Sequence, residues 1–253
     1  MKNKYPILEY DPSRRAVLEP SEVKANRGKL PLHCVLCFFR EVVGKLRGKH
    51  RILTRLGSEM GMIPVYGMKQ GGRTLAVMQA PVGASLSASI LDELIALGSR
   101  KFIVVGGAGV LDRSITFGHV VVPTAAIRDE GTSYHYMLPG REVAPGLRAV
   151  SAIKRVLRKN GIPFVTGKTW TTDAPYRETR AKVRMRRAEG CITVEMEASA
   201  LFAVARFRGV DLGQILYGGD DVSGDKWDKR KWGDRHSVRE RLFYLAVQSC
   251  LAI

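Results

Sequence analysis

The sequence predicts an α/β protein, a three-layer α/β/α domain with a mainly parallel central sheet. One observation is that short apolar, β-branched segments alternate with longer segments whose apolar residues recur at helical spacing. Another is Lys101–Val105, a segment typical of a buried strand, which leads directly into the glycine turn Gly106–Gly109. The length of 253 residues suits one such domain, which buries about 70–75% of the surface of the unfolded chain.

The first 60 residues are predicted to be a divergent N-terminal part of this single domain, which spans residues 1–253. They contain a turn at Tyr10–Ser13 and an apolar segment, His33–Phe39, that predicts a buried strand. Two further strands are predicted at Met62–Met68 and Thr74–Ala80. The polar, glycine-containing segment Lys69–Arg73 between them predicts a turn.

The rest of the chain continues the alternation of helices and strands. Ser85–Leu97 carries apolar residues at helical spacing and stops at Gly98, which predicts a helix. Gly118–Pro123 predicts the strand after the glycine turn. Further helices are predicted at Ala144–Asn160, Tyr176–Ala188, Glu197–Arg208 and Ser237–Leu251, and further strands at Ile162–Thr169, Cys191–Val194 and Leu212–Tyr217.

The composition is that of an ordinary globular protein, with 45% hydrophobic and 26% charged residues. No apolar run approaches the roughly 18 residues that a membrane span requires. The first six residues lack the apolar core of a signal peptide. We therefore expect a cytoplasmic protein with no membrane partner.

The four cysteines raise the question of zinc or redox chemistry, because Cys34 and Cys37 form a C-x-x-C pair. A zinc site needs a second pair of ligands nearby, and Cys191 and Cys250 are isolated in sequence. Residues three apart on a strand point to opposite faces. We expect buried, reduced cysteines and no metal, since the five histidines also lack the spacing of metal ligands.

A formal net charge of +17 is the main anomaly of the composition, and it concentrates in Arg177–Arg187 and Lys226–Arg241. Nucleic-acid binding is therefore the rival hypothesis from another functional class. Neither block interleaves exposed aromatic residues as a single-strand binder does, and neither matches a helix-turn-helix. The alternatives are solvated helix faces or a field that attracts an anionic substrate. Nucleic acid is thus not the expected partner.

The most informative motif is Glu195-Met196-Glu197, which follows the strand candidate Cys191–Val194 and precedes an alanine-rich helix candidate. In open α/β sheets, ligand groups lie at such carboxyl ends of strands. Two carboxylates one residue apart in an extended segment point the same way, and ionised carboxylates accept hydrogen bonds from hydroxyl-rich substrates. The alternative is a helix start whose acids favour the helix dipole.

Five motifs follow one another in a recognisable order. They are Gly106–Gly109, Gly118–Pro123, Arg128–Gly131, Glu195–Glu197 and Gly218-Gly219-Asp220-Asp221. This order resembles the nucleoside phosphorylase superfamily, which comprises uridine and purine nucleoside phosphorylases and related nucleosidases. The resemblance covers roughly residues 60–253 and implies the fold predicted above. It also implies an enzyme that cleaves the N-glycosidic bond of a nucleoside.

By this resemblance the reaction is phosphorolysis, a pentosyl transfer that converts nucleoside and phosphate into free base and ribose 1-phosphate. Hydrolysis by a nucleosidase is the alternative. No cofactor is implied, and inorganic phosphate is the co-substrate of a phosphorylase. The family's symmetric assemblies imply a homo-oligomer, a dimer or a hexamer.

The resemblance assigns ribose binding to Met196, which packs on the sugar, and to Glu197, which accepts hydrogen bonds from its hydroxyls. Glu195 either orders the site or, in a nucleosidase, positions water. Asp220 or its neighbour Asp221 corresponds to the aspartate that protonates N7 of a purine. Two adjacent carboxylates are expected to raise one another's pKa, which a general acid near neutral pH needs. The alternative is a polar loop in which both aspartates cap a turn.

Base recognition is implied for the segment from Trp170 to Arg180. Relatives carry a stacking phenylalanine where this chain has Pro175, so Tyr176 or Trp170 is the expected aromatic substitute. Glu178 and Arg180 fall near the places of the residues that read a pyrimidine edge. Purine and pyrimidine both remain open.

The phosphate site departs from the family's pattern. The first strand runs into Cys37–Arg40 without a Gly-Asp-Pro-x-Arg loop, and Val104 and Val105 stand where relatives have an arginine before the glycine turn. A dianion needs convergent donors or cations. The remaining candidates for phosphate or nucleophile binding are Gly107, Gly109, Arg40 and Arg55.

Overall fold

A ten-stranded mixed sheet forms the centre of the protein in a computed structural model that describes residues 2–23, 29–59, 61–230 and 236–253. The strands are β1 (His33–Cys37), β2 (Arg51–Ser58), β3 (Gly61–Gln70), β4 (Arg73–Gln79), β5 (Lys101–Val110), β6 (Val120–Asp129), β7 (Glu142–Val143), β8 (Phe164–Thr172), β9 (Cys191–Glu195) and β10 (Asp211–Asp221). The strand order is β10-β6-β8-β9-β5-β1-β4-β3-β2, and β7 pairs with β6.

Strand β5 organises the sheet because it pairs with three neighbours. It pairs in parallel with β10 along its length and with β1 through residues 101–105. At its end, Gly109 lies opposite Val194 of β9 in an antiparallel pairing. Since β9 continues through β8 and β6 back to β10, five strands close on one another, while β1, β4, β3 and β2 extend outward from β5. This closure brings the ends of β5, β9 and β10 together.

The strand directions refine the predicted sheet. The pairs β1–β4, β1–β5, β5–β10, β6–β8 and β8–β9 are parallel, whereas β2–β3, β3–β4, β5–β9, β6–β7 and β6–β10 are antiparallel. The sheet is therefore mixed rather than purely parallel. Part of the reason is local: Gly71 and Gly72 have positive φ in a tight hairpin between β3 and β4, and only antiparallel strands can be joined by so short a turn.

Helices cover both faces of the sheet, which confirms the three-layer α/β/α prediction. The helices are α1 (Pro20–Val23), α2 (Arg40–Gly44), α3 (Ala84–Ala96), α4 (Leu147–Lys159), α5 (Arg180–Ala188), α6 (Ala198–Arg208) and α7 (His236–Leu251). One apolar core joins α3 and α6 to the sheet, and a second joins α4 and α7 to its other face. Helix α6 is almost entirely buried, and its run of alanines fits that position.

Several features differ from the prediction. The turn expected at Gly106–Gly109 is instead the carboxyl-terminal part of strand β5. Strand β2 was not expected, because its sequence Arg51–Ser58 mixes charged, polar and apolar residues at the edge of the sheet. The helix expected at Tyr176–Ala188 begins at Arg180 instead. Pro175–Arg177 forms a short 3-10 turn, and the Thr179 hydroxyl then caps α5 by accepting a hydrogen bond from the Lys182 N–H at 3.3 Å.

The C-x-x-C pair is structural. Cys34 belongs to the core beneath α3 and α6, whereas Cys37 belongs to the core beneath α4 and α7, so the two side chains point to opposite faces as predicted. All four cysteines are buried and unpaired as thiols, and burial raises the pKa of Cys37 to about 12. Within the described ranges, no helix is long and apolar enough to cross a membrane.

Candidate functional site

Glu195 is the last residue of β9, and its carboxylate ties three elements together. One oxygen accepts hydrogen bonds from the N–H groups of Glu197 and Ala198, at 2.8 and 2.6 Å, and so caps the start of α6. The other oxygen accepts a hydrogen bond from the hydroxyl of Thr171 on β8 at 2.6 Å. The side chain is buried. Both oxygens are therefore engaged within the protein, which is the geometry of a residue that orders the site.

Glu197 connects this junction to the start of α3. Its carboxylate accepts a hydrogen bond from the Gly83 N–H at 2.6 Å, and the side chain is 6% exposed. Gly83 has φ +98°, a conformation that favours glycine, so the close approach of this N–H depends on the residue type. Met196, between the two acids, is half-buried. The Glu-Met-Glu motif thus lies where β9, α6 and α3 meet.

The two glutamates lie in a low-dielectric environment that disfavours their ionised forms. Burial raises the pKa of Glu195, and the nearby charge of Glu130 adds to the shift. Burial also raises the pKa of Glu197, and the charges of Glu195 and Asp173 add to it. Hydrogen bonds to both carboxylates lower these pKa values, but they offset only part of the effect of burial. Ligand hydroxyls that donate to Glu197 would favour its charged form.

Glu130 forms a supporting layer beneath the motif. One carboxylate oxygen accepts a hydrogen bond from the Ser199 hydroxyl of α6 at 2.9 Å, and the other accepts from the N–H groups of Thr132 and Ser133. Arg128 donates to the Ser133 hydroxyl at 2.8 Å from the same segment. The Arg128–Gly131 motif therefore stabilises the position of α6 through the hydrogen bond between Glu130 and Ser199. Sequence reasoning assigned no role to Glu130. Its place in the Arg128–Gly131 motif was the signal that it contributes to the site.

A cavity of about 430 Å³ lies between the loop after β8 and the end of β10. Its lining residues are Pro175, Tyr176, Glu178, Arg180, Val183, Asp220, Val222, Gly224, Asp225, Lys226 and Trp227. Gly109 lies near this cavity and near β9, because a Cβ there would lie 3.8 Å from a carboxylate oxygen of Asp220 and 3.0 Å from Val194, the residue before Glu195. Burial raises the pKa of Glu178 to about 7, and the charge of Asp220 contributes.

Asp220 and Asp221 do not act as the pair that their adjacency suggested. Neighbouring residues on a strand point to opposite sides, and only Asp220 lines the cavity. Asp221 is buried and its carboxylate lies 3.0 Å from the guanidinium of Arg230. Burial alone would raise the pKa of Asp221, but hydrogen bonds from Ser223 and Arg230 lower it below its ordinary value. The expected mutual raising of pKa values is therefore wrong for Asp221.

The structure also separates the two aromatic candidates for base stacking. Tyr176 lines the cavity and is largely exposed. Trp170 is fully buried, and its indole N–H donates to Asp129 at 2.9 Å, so it is a core residue and its assignment as a base-binding residue was wrong. The residue that sequence reasoning missed is Trp227, which lines the cavity and donates from its indole N–H to Asp220 at 2.7 Å. The one sequence feature that could have indicated its role is that it is an aromatic residue within the basic segment Lys226–Arg241.

The four candidates for phosphate or nucleophile binding do not form one cluster within a single chain. Gly107 and Gly109 lie on β5, and Cβ atoms at these positions would approach Tyr217 and Val194 to 2.9 and 3.0 Å. Arg40 begins α2 and is exposed. Arg55 lies on β2, four strands from β5, which corresponds to roughly 19 Å at about 4.8 Å per strand. In the part of the chain that the structure describes, no three His, Cys, Asp or Glu side chains are arranged to hold a metal ion.

Sequence comparison decides the family. The profile of the Phosphorylase superfamily matches residues 33–245, which include the sheet and every residue of the junction and cavity. The chain belongs to the Phosphorylase superfamily. The match confirms the resemblance inferred from the five ordered motifs, and members of this superfamily act on nucleosides.

Individual members of the superfamily show moderate sequence identity to this chain. A guanosine phosphorylase of Halorubrum lacusprofundi is 28% identical over 156 residues, covering 61% of this chain and 65% of that protein. A uridine phosphorylase of Treponema pallidum is 31% identical over 153 residues, covering 56% of this chain and 59% of that protein. The matches thus span about three fifths of the length of these relatives.

A solved structure supports the fold. The AMP nucleosidase of Bacteroides thetaiotaomicron superposes with a TM-score of 0.68 at 20% identity, covering 87% of each chain. The three-layer arrangement is therefore shared with a superfamily member whose sequence has diverged widely.

Proposed function

We propose that this protein cleaves the N-glycosidic bond of a nucleoside. The observation that carries the proposal is the 430 Å³ cavity lined by Asp220 and Glu178, at the end of the sheet where Gly109 approaches β9, the strand that leads to the buried Glu197. Cleavage requires a held ribosyl group, which becomes oxocarbenium-like, and a stabilised leaving base. One end of this site offers a carboxylate for sugar hydroxyls and the other offers acidic and aromatic groups for a base.

On the sugar side, Glu197 accepts hydrogen bonds from ribose hydroxyls while the Gly83 N–H fixes its carboxylate. Met196 packs against the sugar with a soft apolar surface. Glu195 serves as a positioning residue, because its hydrogen bonds to Thr171 and to the first N–H groups of α6 hold the motif. The negative charge of Glu197 also stabilises the positive charge that develops on the ribosyl ring.

On the base side, Asp220 is the group that protonates the leaving base of a purine nucleoside. The indole N–H of Trp227 orients its carboxylate. Trp227 and Tyr176 present aromatic surface, and Glu178 and Arg180 present an acceptor and a donor to the edge of the base. These groups accommodate a planar heterocycle, and the arrangement does not select purine over pyrimidine.

We propose phosphorolysis as the reaction, in line with the guanosine and uridine phosphorylases among the relatives. Hydrolysis is the second candidate, and two observations on the phosphate candidates favour it. Val104 is a buried apolar residue just before the glycines of β5, and Arg55 is remote from Gly107 within one chain. The AMP nucleosidase shares the fold, so the fold accommodates either reaction.

Incubation of the purified protein with a panel of purine and pyrimidine nucleosides, with and without phosphate, tests the proposal. Release of free base only with phosphate supports phosphorolysis, and release without phosphate supports hydrolysis. A Glu197→Gln preparation made in parallel controls for contaminating enzymes. No release under either condition, together with salt-sensitive binding to oligonucleotides, would support the rival nucleic-acid-binding function.

A further inference from the structure

A second cavity, of about 450 Å³, adjoins the 430 Å³ cavity described above, which we call the base cavity, and is strongly basic. We name it the arginine pocket after the four arginines that line it, Arg113, Arg180, Arg184 and Arg187. Its other lining residues are Asp112, Val183, Ser223, Gly224 and Asp225. None of the roles assigned above uses Arg113, Arg184 or Arg187.

Helix α5 distributes its cations between two sides. Lys182 and Arg186 turn inward and lie 3.1 and 3.0 Å from the carboxylate of Asp129. Arg180, Arg184 and Arg187 follow the spacing i, i+4, i+7 and line the arginine pocket on the opposite side. Like charges at helical spacing destabilise an isolated helix. The stability of α5 therefore does not explain why Arg180, Arg184 and Arg187 lie on one side. Binding of an anionic ligand would explain it.

The charges that line the pocket are not balanced by the carboxylates around it. Four arginines face two lining aspartates, Asp112 and Asp225. Asp221 also lies 4.0 Å from Arg113, but it is already paired with Arg230 at 3.0 Å, so two positive charges remain in excess. Asp225 lies 3.5 Å from Arg180, and this pair is largely exposed, so water screens it. The Asp112 carboxylate already accepts a hydrogen bond from the Ser114 N–H at 2.9 Å. A concave surface with this excess attracts small anions.

The arginine pocket adjoins the base cavity. The two share Arg180, Val183, Gly224 and Asp225 as lining residues. Asp220 lines only the base cavity, near Gly109, whereas Arg184 and Arg187 line only the arginine pocket. The shared residues therefore form a route by which a substituent on a base held near Asp220 and Glu178 reaches Arg184 and Arg187.

We propose that the arginine pocket is a binding subsite for an anionic group carried on the base of the nucleoside. The substrate class is a nucleoside whose base bears a substituent ending in a carboxylate. This inference rests on the proposed function. Guanidinium groups suit carboxylates because they donate paired hydrogen bonds to both oxygens. The bounded volume fits a side arm of a base, whereas an oligonucleotide needs a continuous groove along its backbone.

Matched acid and ester nucleosides test the subsite. The probes are uridine-5-oxyacetic acid with its methyl ester, and N6-(1,2-dicarboxyethyl)adenosine with its dimethyl ester. For at least one pair we expect kcat/KM at low salt to be about tenfold higher for the acid, with the difference lying mainly in KM. The ratio of acid to ester should fall as ionic strength rises. Arg184→Gln and Arg187→Gln should reduce this ratio, and Arg206→Gln, on the exposed part of α6, should preserve it.

The outcomes separate the subsite from the proposed function. Cleavage of nucleosides and esters without preference for either acid would overturn the subsite and leave the function standing. If no nucleoside is cleaved, the function fails, and calorimetric titration with acids and esters decides the subsite. Tighter binding of an acid that depends on Arg184 and Arg187 then supports it, and equal binding overturns it. Salt-sensitive binding of single-stranded oligonucleotides that both variants abolish, without acid preference, would assign these arginines to nucleic acid instead.

Discussion

Glu178 lies in the loop between β8 and α5 and Asp220 lies near the end of β10, yet their carboxyl groups line the same cavity. Burial raises the pKa of Glu178 to about 7, and the negative charge of Asp220 contributes to the shift. The Glu178 carboxyl therefore exchanges its proton near neutral pH, beside a second carboxyl in the same cavity. When protonated, Glu178 can donate to the edge of a base, and when ionised it can accept from it.

The first prediction concerns this pair and pH. In the wild-type protein, the pH profile of kcat/KM should show an ionisation near pH 7 that Glu178→Gln removes. Asp220→Asn should lower the pKa of Glu178, because it removes the neighbouring negative charge. Where Asp220→Asn retains too little activity, the pKa of Glu178 can be followed by NMR of labelled glutamate carboxyls.

Glu142→Gln, at an exposed carboxyl on β7, provides the control and should leave the profile unchanged. The raised pKa of Glu178 also predicts how the stability of the folded protein changes with pH. The pKa of Glu178 is higher in the folded protein than its ordinary value of 4.5, so its contribution to stability is lost as pH rises from 4.5 through 7. An ionisation near pH 7 that persists in Glu178→Gln would contradict the assignment.

The second prediction separates the adjacent aspartates. With a purine nucleoside, Asp220→Asn should lower kcat by the 10²–10⁴-fold typical of a lost general acid. Asp221→Asn should lower stability instead, by roughly 1–3 kcal/mol, because it weakens the half-buried ion pair with Arg230. Steady-state kinetics and chemical denaturation measure the two effects.

A purine substrate with an activated leaving group should be far less sensitive to Asp220→Asn, since it needs no protonation. With a pyrimidine nucleoside, both variants should stay active within a few-fold. Equal, mild effects on a natural purine substrate would show that these aspartates only shape the loop, and the acid role would be abandoned.

Sequence patterns predicted the parts of the fold and site that depend on local periodicity. The Glu-Met-Glu motif was located correctly at a strand end, because it follows an apolar strand that is visible in sequence, whereas the glycines Gly106–Gly109 continue β5 instead of forming the predicted turn. Asp220 was found as one of two candidates. The choice between it and Asp221 required the orientation of β10, which a short apolar segment does not reveal.

Other features depend on contacts between distant segments. Trp170 is buried because Asp129 and the inward cations of α5 surround it, and no local pattern shows that packing. Arg55 appeared available for phosphate until the strand order placed β2 at the edge of the sheet. Trp227 was overlooked because its surroundings are basic and polar, which resembles a solvated surface.

The third prediction concerns the sugar site. Glu197→Gln should keep the fold, because an amide oxygen still accepts from the Gly83 N–H, but it removes a charge-assisted hydrogen bond to ribose worth roughly 1.5–3 kcal/mol. We expect a loss of about tenfold or more in kcat/KM.

The melting temperature of Glu197→Gln, unlike its activity, should not fall. The pKa of Glu197 is raised in the folded state above its ordinary 4.5, so ionising this buried group destabilises the protein as pH rises above 4.5. The variant should therefore match or exceed the wild type in melting temperature at pH 8. A folded variant with unchanged kinetics would falsify the ribose assignment.

The fourth prediction contrasts two tryptophans. Trp227→Ala should raise KM for the nucleoside about fivefold to tenfold with little change in stability, since the side chain is exposed beside the base cavity. Trp170→Ala should destabilise the protein by about 3–5 kcal/mol, because it empties a fully buried position. Thermal unfolding and substrate titration distinguish the two outcomes. A change in KM without loss of stability for Trp170→Ala would restore its role as a base-binding residue.

The fifth prediction is a homo-oligomer. Val17, Leu18 and Val82 are exposed apolar side chains, and Val82 directly precedes Gly83 at the sugar site. The N-terminal segment that carries Leu18 lines an 800 Å³ cavity together with Ser85 of α3. Apolar surface beside a site is typical of a subunit interface, and closed symmetry is usual for such assemblies. Light scattering at micromolar concentration should give a multiple of the 28.0 kDa chain mass.

Val17→Asp should reduce that mass, because its fully exposed side chain contributes nothing to the monomer core and a carboxylate there would be buried by a partner. Leu147→Asp, at an exposed leucine where α4 begins, is the matched control and should leave the mass unchanged. Because the interface would adjoin Gly83, the Val17→Asp variant should also lose nucleoside cleavage in proportion to its dissociation. A wild-type mass near 28.0 kDa would contradict the prediction, and an intact oligomer in both variants would place the interface on another face.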